Sequence, residues 1–196
     1  MKIKKLFLIF FLYLINFNSA QSLEPDILVQ STINRATEIL SENLSKEKKI
    51  EKLKILAKET VDIKGIGFYT LGAKRKDLNE NEKQRYSKLF EQYFLKSFSG
   101  RLVDYSNPEI EILSKEILSE NYTIVKSLLK GNNERPEVKI DWRIYTKNKK
   151  SPLIRDLIIE GLSLARTQKE EFSSILSTND GDINALFETL EKFSIN

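Results

Sequence analysis

The run "IIEGLSLAR", residues 158–166, sets Gly161, Ser163 and Ala165 at the spacing of a nucleophile elbow. That turn presents the reactive serine of many hydrolases between a strand and a helix. A strand-like stretch precedes this run and a helix-like stretch follows it. A serine nucleophile needs a group to take its proton, and histidine is the usual one. The chain has no histidine, and the residue three positions after Ser163 is Arg166, not lysine. The run therefore reads as a strand that ends at a glycine and enters a helix through a serine N-cap.

Asp156 and Glu160 are the next candidates. On a strand-like run, residues four apart share a face and lie roughly 13 Å apart, from a rise of about 3.3 Å per residue. A retaining glycosidase pair needs about 5 Å, and even an inverting pair sits closer than that. Salt bridges or a solvated patch account better for these carboxylates. The chain also lacks cysteine. Thiol chemistry and disulfides are excluded, and a dedicated zinc or copper site is disfavoured. We expect no catalytic residue, no metal and no cofactor; a carboxylate-based hydrolase stays only as an alternative.

What must be positioned is then a binding surface. The N-terminus "MKIKKLFLIFFLYLINFNSA" has three lysines in its first five residues, an apolar run over Leu6–Ile15 and a small-residue end at Ala20. This is the pattern of a cleaved secretory signal. An apolar run of that length is about half of what spans a bilayer. The expected organisation is a signal peptide over residues 1–20 and a single domain over 21–196. Removing the signal takes three lysines and no acid, so the charge falls from +4 to near +1. The signs interleave, as in "KEKKIEKLK", and such runs suit solvated helix faces better than a nucleic-acid surface.

The first half of the chain carries helical periodicity. Ile33, Ala36, Ile39 and Leu40 mark one helix over 26–43, and Ser45 can cap a second. Asp62 can cap a short third helix that stops near Gly72. Asn79 and Glu82 have capping-box spacing ahead of the longest helix. There Tyr86, Leu89, Phe90, Tyr93, Phe94, Ser97, Phe98 and Leu102 form a stripe at steps of three and four. The second half changes period. "EIEIL", "NYTIVKSLL", "EVKIDWRIYT" and "LIRDLIIEGLSL" read as four strands, with "GNNERP" and "KNKKSP" as turns between them. Links this short imply antiparallel pairing. Two helices close the chain, separated by "NDGD", with Asp182 capping the last. The fold class expected is α+β: an antiparallel four-stranded sheet over about 108–164, packed under N-terminal and C-terminal helices. An aromatic helix facing an apolar sheet face fits a filled core, or an apolar pocket where the two layers do not close. Periodicity alone leaves both open.

Three blocks resemble the MlaC family, the toluene-tolerance auxiliary family of periplasmic phospholipid-binding proteins. In "VDIKGIGFYTLG", Asp62, Leu71 and Gly72 match the family pattern. In "LNENEKQRYSKLFEQYFLKSFSGRLVDYS", Gln84, Arg85, Tyr86, Phe90, Leu102 and Tyr105 match. In the opening stretch, Asp156, Glu160, Gly161, Ser163, Leu164 and Phe172 match. The likeness extends from about Ile27 to Phe193. The sequence departs from the pattern at Ala73, Lys74 and Arg75, where the family has a bulky aromatic. It departs again at Thr167 and Gln168, and at "KSP" in place of a Gly-Trp pair.

The resemblance implies a lipid shuttle of the periplasm with no enzymatic activity. Such a protein holds a phospholipid by its acyl chains in an apolar pocket between sheet and helices. It exchanges that lipid between an outer-membrane lipoprotein complex and an inner-membrane ABC transporter with its substrate-binding domain, and so maintains outer-membrane lipid asymmetry. Nucleic acid is not an expected partner. Given such a pocket, its walls fall on Phe90, Phe94 and Phe98 of the long helix. The strands would add Val138, Ile140, Trp142 and Ile144 from the third, and Ile158 and Leu162 from the fourth. A periplasmic interaction module with no lipid ligand is the other alternative.

Overall fold

The computed structural model describes residues 22–105, 108–131 and 136–195. The expected signal segment, and the centre of the "GNNERP" turn, lie outside the described residues.

Local signals start and stop the helices. α1 (Pro25–Ser41) opens on a proline, whose fixed φ suits a first helical turn. It buries Leu28, Val29, Thr32, Ile33 and Leu40. α2 (Lys46–Thr60) is capped by Ser45, whose side chain accepts from the Lys48 amide. α3 (Ile63–Thr70) is capped by Asp62, which accepts from the Gly65 amide at 2.8 Å. It ends where Gly72 turns to φ 58°, a left-handed geometry that glycine adopts without strain. A 3₁₀ turn follows at Gly72–Lys76. α4 (Glu80–Leu102) begins with the expected capping box: Asn79 and Glu82 exchange bonds of 2.8 and 3.0 Å.

The sheet is a meander in the order β1-β2-β3-β4-β5, every neighbouring pair antiparallel. β1 is Ile110–Ser119, longer than "EIEIL" suggests and bulged at Leu113 and Leu118. β2 is Tyr122–Leu129 and β3 is Val138–Tyr145. The expected fourth strand is two strands, β4 (Leu153–Ile159) and β5 (Leu162–Ser163). Glu160 (φ 49°) and Gly161 (φ 81°) form the two-residue turn between them. Two consecutive positive φ values are the geometry that folds a ribbon back on itself with the native twist. The sheet is therefore five-stranded, not four-stranded. Val61 extends its edge by a parallel bridge to Ile154.

α5 (Leu164–Thr178) and α6 (Ile183–Ile195) close the chain. They are separated by Asp180 (φ 52°) and Gly181 (φ 77°), and the Asp182 carboxylate accepts from the Asn184 amide at 3.0 Å. The helices cover one face of the sheet, because Val125, Trp142, Ile144 and Ile154 share one apolar cluster with residues of every α-helix. α1 is tied to that face through Lys115, which bonds Glu24 at 2.9 Å and Asp26 at 2.8 Å. α4 takes α2, α3 and α6 as its main backbone neighbours and not the strands. That leaves the gap between α4 and the sheet to be filled by side chains.

Candidate functional site

Directly opposed residues of an antiparallel pair point to the same side. The register sets Thr123 opposite Ile144, Val125 opposite Trp142, and Ser127 opposite Ile140. On the other side of β3, Ile144 faces Ile154, Trp142 faces Leu157, and Ile140 faces Ile159. On β1, Ile110 and Ile112 join the same face opposite Leu129 and Ser127. This face looks toward α4.

Its inner end is closed. Ile144 and Val125 are fully buried, and Phe90 and Tyr86 nearly so. The polar atoms there are paired. Trp142 Nε1 donates to Ser127 Oγ at 2.8 Å, and that hydroxyl donates to the Ile140 carbonyl at 3.0 Å. Tyr86 donates to the Gly67 carbonyl at 3.1 Å and lies 2.8 Å from Thr70 Oγ1. Burial pushes the Tyr86 phenol well above its ordinary range. Gly67 permits this approach of α3 to α4, since a Cβ there would come within 2.8 Å of the Phe90 ring. A brace holds the same end. Arg155, extruded by the bulge in β4, reaches Asp62 through Nε at 2.9 Å and Tyr122 through Nη1 at 2.8 Å. Its guanidinium lies 3.7 Å from the centroid of the Tyr145 ring.

The outer end is only half closed. Phe94, Phe98, Ile110, Ile112, Ile140 and Leu157 are partly buried against the core and not sealed within it. Val138, Leu129 and Ile159 are likewise half-buried. The rings of α4 run from one end to the other: Tyr86 to Phe90 at 5.8 Å, Phe90 to Phe94 at 6.2 Å, and Phe94 to Phe98 at 5.6 Å. The arrangement is an apolar wedge, sealed at Ile144 and half-buried from Ile140 outward. Among the described residues its lining is mostly aliphatic and aromatic.

Most of the expected wall residues therefore come together. Phe90, Phe94 and Phe98 follow one helix stripe, and Val138, Ile140, Trp142 and Ile144 share one sheet face. Leu162 joins that face opposite Ile159 and is 59 % exposed. Ile158 does not join it: it pairs with Asp141 and Ser163 on the opposite face. The bulge at Arg155 shifts the alternation of β4, so Leu157 and Ile159 face α4 instead. Sequence reasoning missed these two because "LII" offers no polar residue to mark a side. It also passed over Ile110 and Ile112, although the alternation in "EIEIL" points to them.

The serine of the opening run is a helix cap. Ser163 Oγ accepts from the Arg166 amide at 3.1 Å and donates to Asp156 at 2.6 Å. Asp156, 4 % exposed, also accepts from the Ala165 amide at 3.0 Å and from Arg143 at 3.2 Å. Glu160 lies in the turn and accepts from the Lys139 amide. The two carboxylates thus serve separate structural ends. No described helix is long and apolar enough to cross a membrane.

Known proteins share this architecture. The chain is similar in structure to the phospholipid-binding protein from Ralstonia solanacearum, solved in complex with a phospholipid. The TM-score is 0.74 and the sequence identity 17 %, over 88 % of this chain and 98 % of that one. At that identity the likeness is one of fold. No curated protein matches the chain. The family profile described as MlaC protein matches residues 30–192. The chain belongs to the MlaC protein family.

Proposed function

We propose that the protein is a periplasmic phospholipid carrier that takes lipid acyl chains into the wedge between α4 and the sheet. The observation that carries this reading is the half-buried outer end. Phe94, Phe98, Ile112, Ile140 and Leu157 continue a sealed core outward without being sealed themselves. A purely structural core gains by closing over such residues, at roughly 25 cal/mol per Å² of apolar surface. The phospholipid bound in the structurally similar Ralstonia protein, and membership of the MlaC family, support the same ligand class.

In this reading residues 1–20 direct export and are removed, leaving Gln21 as the first residue of the working protein. Its partners are an outer-membrane lipoprotein complex and an inner-membrane ABC transporter with its substrate-binding domain, between which lipid is exchanged to maintain outer-membrane asymmetry. No catalytic group is needed. Two acyl chains carry about thirty methylenes, and at roughly 0.8 kcal/mol each their release into water costs on the order of 20 kcal/mol. Free release is negligible on that scale. Transfer therefore takes place in a docked complex, with the outer end of the wedge against an apolar path in the partner.

Solvent extraction of the mature protein, purified without detergent, tests the reading. Near-stoichiometric phospholipid is expected. Trace lipid alone, in protein that is folded and monodisperse, would reject it.

A further inference from the structure

The surface between α3 and α5 carries a different chemistry. The 3₁₀ turn "GAKRK" sets Arg75 and Lys76 along one cleft with Lys169 of α5. Two adjoining clefts of about 310 and 670 Å³ lie there, sharing Tyr69 and Lys169 as a common wall. Arg75 and Lys76 line the first, and Arg166, Ser173 and Ser177 line the second. On α5, Arg166, Lys169, Glu170, Ser173, Ser174 and Ser177 recur at steps of three and four, so they form an outer polar stripe. Ala165, Phe172 and Leu176 form the buried stripe.

The charges in these clefts are not balanced. Glu170 is bound to Arg166 at 3.0 Å, and Asp77 lies 3.9 Å from Lys74. Among the described residues, no ion pair engages Arg75, Lys76 or Lys169; the Lys169 ammonium rests 5.3 Å from the centroid of the half-exposed Tyr69 ring. The geometry is built in. Gly72 sits at φ 58°, and a Cβ there would come within 3.1 Å of Lys169 Cε, so the glycine lets the lysine lie across the turn. Other described cations without an ion pair, such as Lys147 and Lys150, stand in an exposed turn, whereas Arg75, Lys76 and Lys169 line one cleft together. In a protein whose charge without residues 1–20 is near +1, three uncompensated cations around one concavity form a local excess.

We propose that these clefts are a docking surface for an acidic segment of a partner protein, whose carboxylates pair with Arg75, Lys76 and Lys169 while the serine row of α5 bonds its polar groups. The lining favours an acidic chain segment over a lipid surface. The clefts are shallow, and among the described residues Tyr69 is their one aromatic and no aliphatic side chain larger than Ala73 lines them. They therefore lack the apolar anchors with which a bilayer face is met. Paired opposite potentials of this kind speed and orient encounter more than they tighten the complex. The surface is also separate from the wedge. Tyr93 bonds Gln168 at 2.6 Å and packs on Phe172, so α5 turns its other side to α4.

The test uses the mature protein and a fluorescent oligo-glutamate peptide, with anisotropy read at low and at raised salt. Salt-sensitive binding is expected. The variant Arg75→Glu/Lys76→Glu/Lys169→Glu should weaken it at least about tenfold. The control Lys48→Glu/Lys147→Glu/Lys150→Glu reverses three exposed lysines elsewhere and should weaken it by less than about twofold. Both variants should keep the wild-type melting temperature and the wild-type amount of extracted lipid, so this test fails separately from the carrier reading. Absence of peptide binding, or equal loss in both variants, would overturn the proposal. So would cleft-dependent binding to vesicles containing phosphatidylglycerol without binding to the peptide, which would assign the surface to a membrane instead.

Discussion

The two ends of the interface between α4 and the sheet are made of the same residue types and do different things. At the inner end Ile144, Val125 and Phe90 are closed off, the nearby polar atoms are paired, and Arg155 ties the sheet to the cap of α3. At the outer end Ile140, Phe94 and Phe98 lie on the same sheet face and helix stripe and stay half-buried. The difference comes from what stands behind each end. Gly67 lets α3 press on Phe90 at the inner end, whereas Phe94 and Phe98 are only partly buried against the core. Stability is concentrated at the first end, and capacity to bind is proposed for the second.

Charge placed at each end separates these roles most sharply. Ile144→Asp buries an unpaired carboxylate in the closed end and should prevent stable folding, a loss beyond about 4 kcal/mol. Ile140→Asp lets the carboxylate reach solvent, so the protein should fold while losing most of its bound phospholipid. Circular dichroism together with lipid extraction reads both outcomes. Equal effects on folding would erase the distinction.

Truncation of the ring ladder gives a smaller contrast. Phe90→Ala should cost about 3–5 kcal/mol in urea unfolding, as for a buried aromatic. Phe98→Ala should cost roughly 1 kcal/mol, in proportion to its partial burial.

Ser163 lies outside the comparison and tests the cap. Ser163→Ala should cost about 1 kcal/mol and leave lipid content unchanged, and a fluorophosphonate probe should not label the wild-type serine.

The smallest effect belongs to the tie between α1 and β1. The hydrogen bond from Lys115 holds the Asp26 carboxyl below its ordinary value. A depressed acid stabilises the fold above its unfolded pKa, and the contribution disappears as pH falls through the folded pKa. Melting curves of wild type and Lys115→Met should therefore differ slightly at neutral pH and converge in acid. Both groups are solvent-screened, so a large difference would contradict this account.

How much of this was legible in the sequence follows from how local each signal is. Asp62, the Asn79–Glu82 box, Ser163 and Asp182 act within one helical turn of themselves, and each caps where its spacing indicates. The alternation of β3 needs no distant partner either. The error at Ile158 has a non-local origin. In "LIRDLIIEGLSL" both faces are apolar, and only pairing with β3 reveals that Arg155 is the extra residue that shifts the side chains after it. The strand end at Gly161 was legible, but the short β5 after it was not, because it needs Glu160 as well as Gly161 at positive φ. The half-open end was not legible at all, because Phe90 and Phe98 occupy the same stripe. Their different burial depends on what α3 and the strands leave uncovered.

Trp142 gives the most direct test of the central claim, that acyl chains occupy the wedge. It is the sole tryptophan, sits two residues from Ile140 on the same face, and is 9 % exposed. Brominated acyl chains quench tryptophan at short range. Exchange of native lipid for brominated phospholipid should lower Trp142 emission, and Ile140→Asp should abolish the change. Unchanged emission with brominated lipid demonstrably bound would place the acyl chains elsewhere on the molecule.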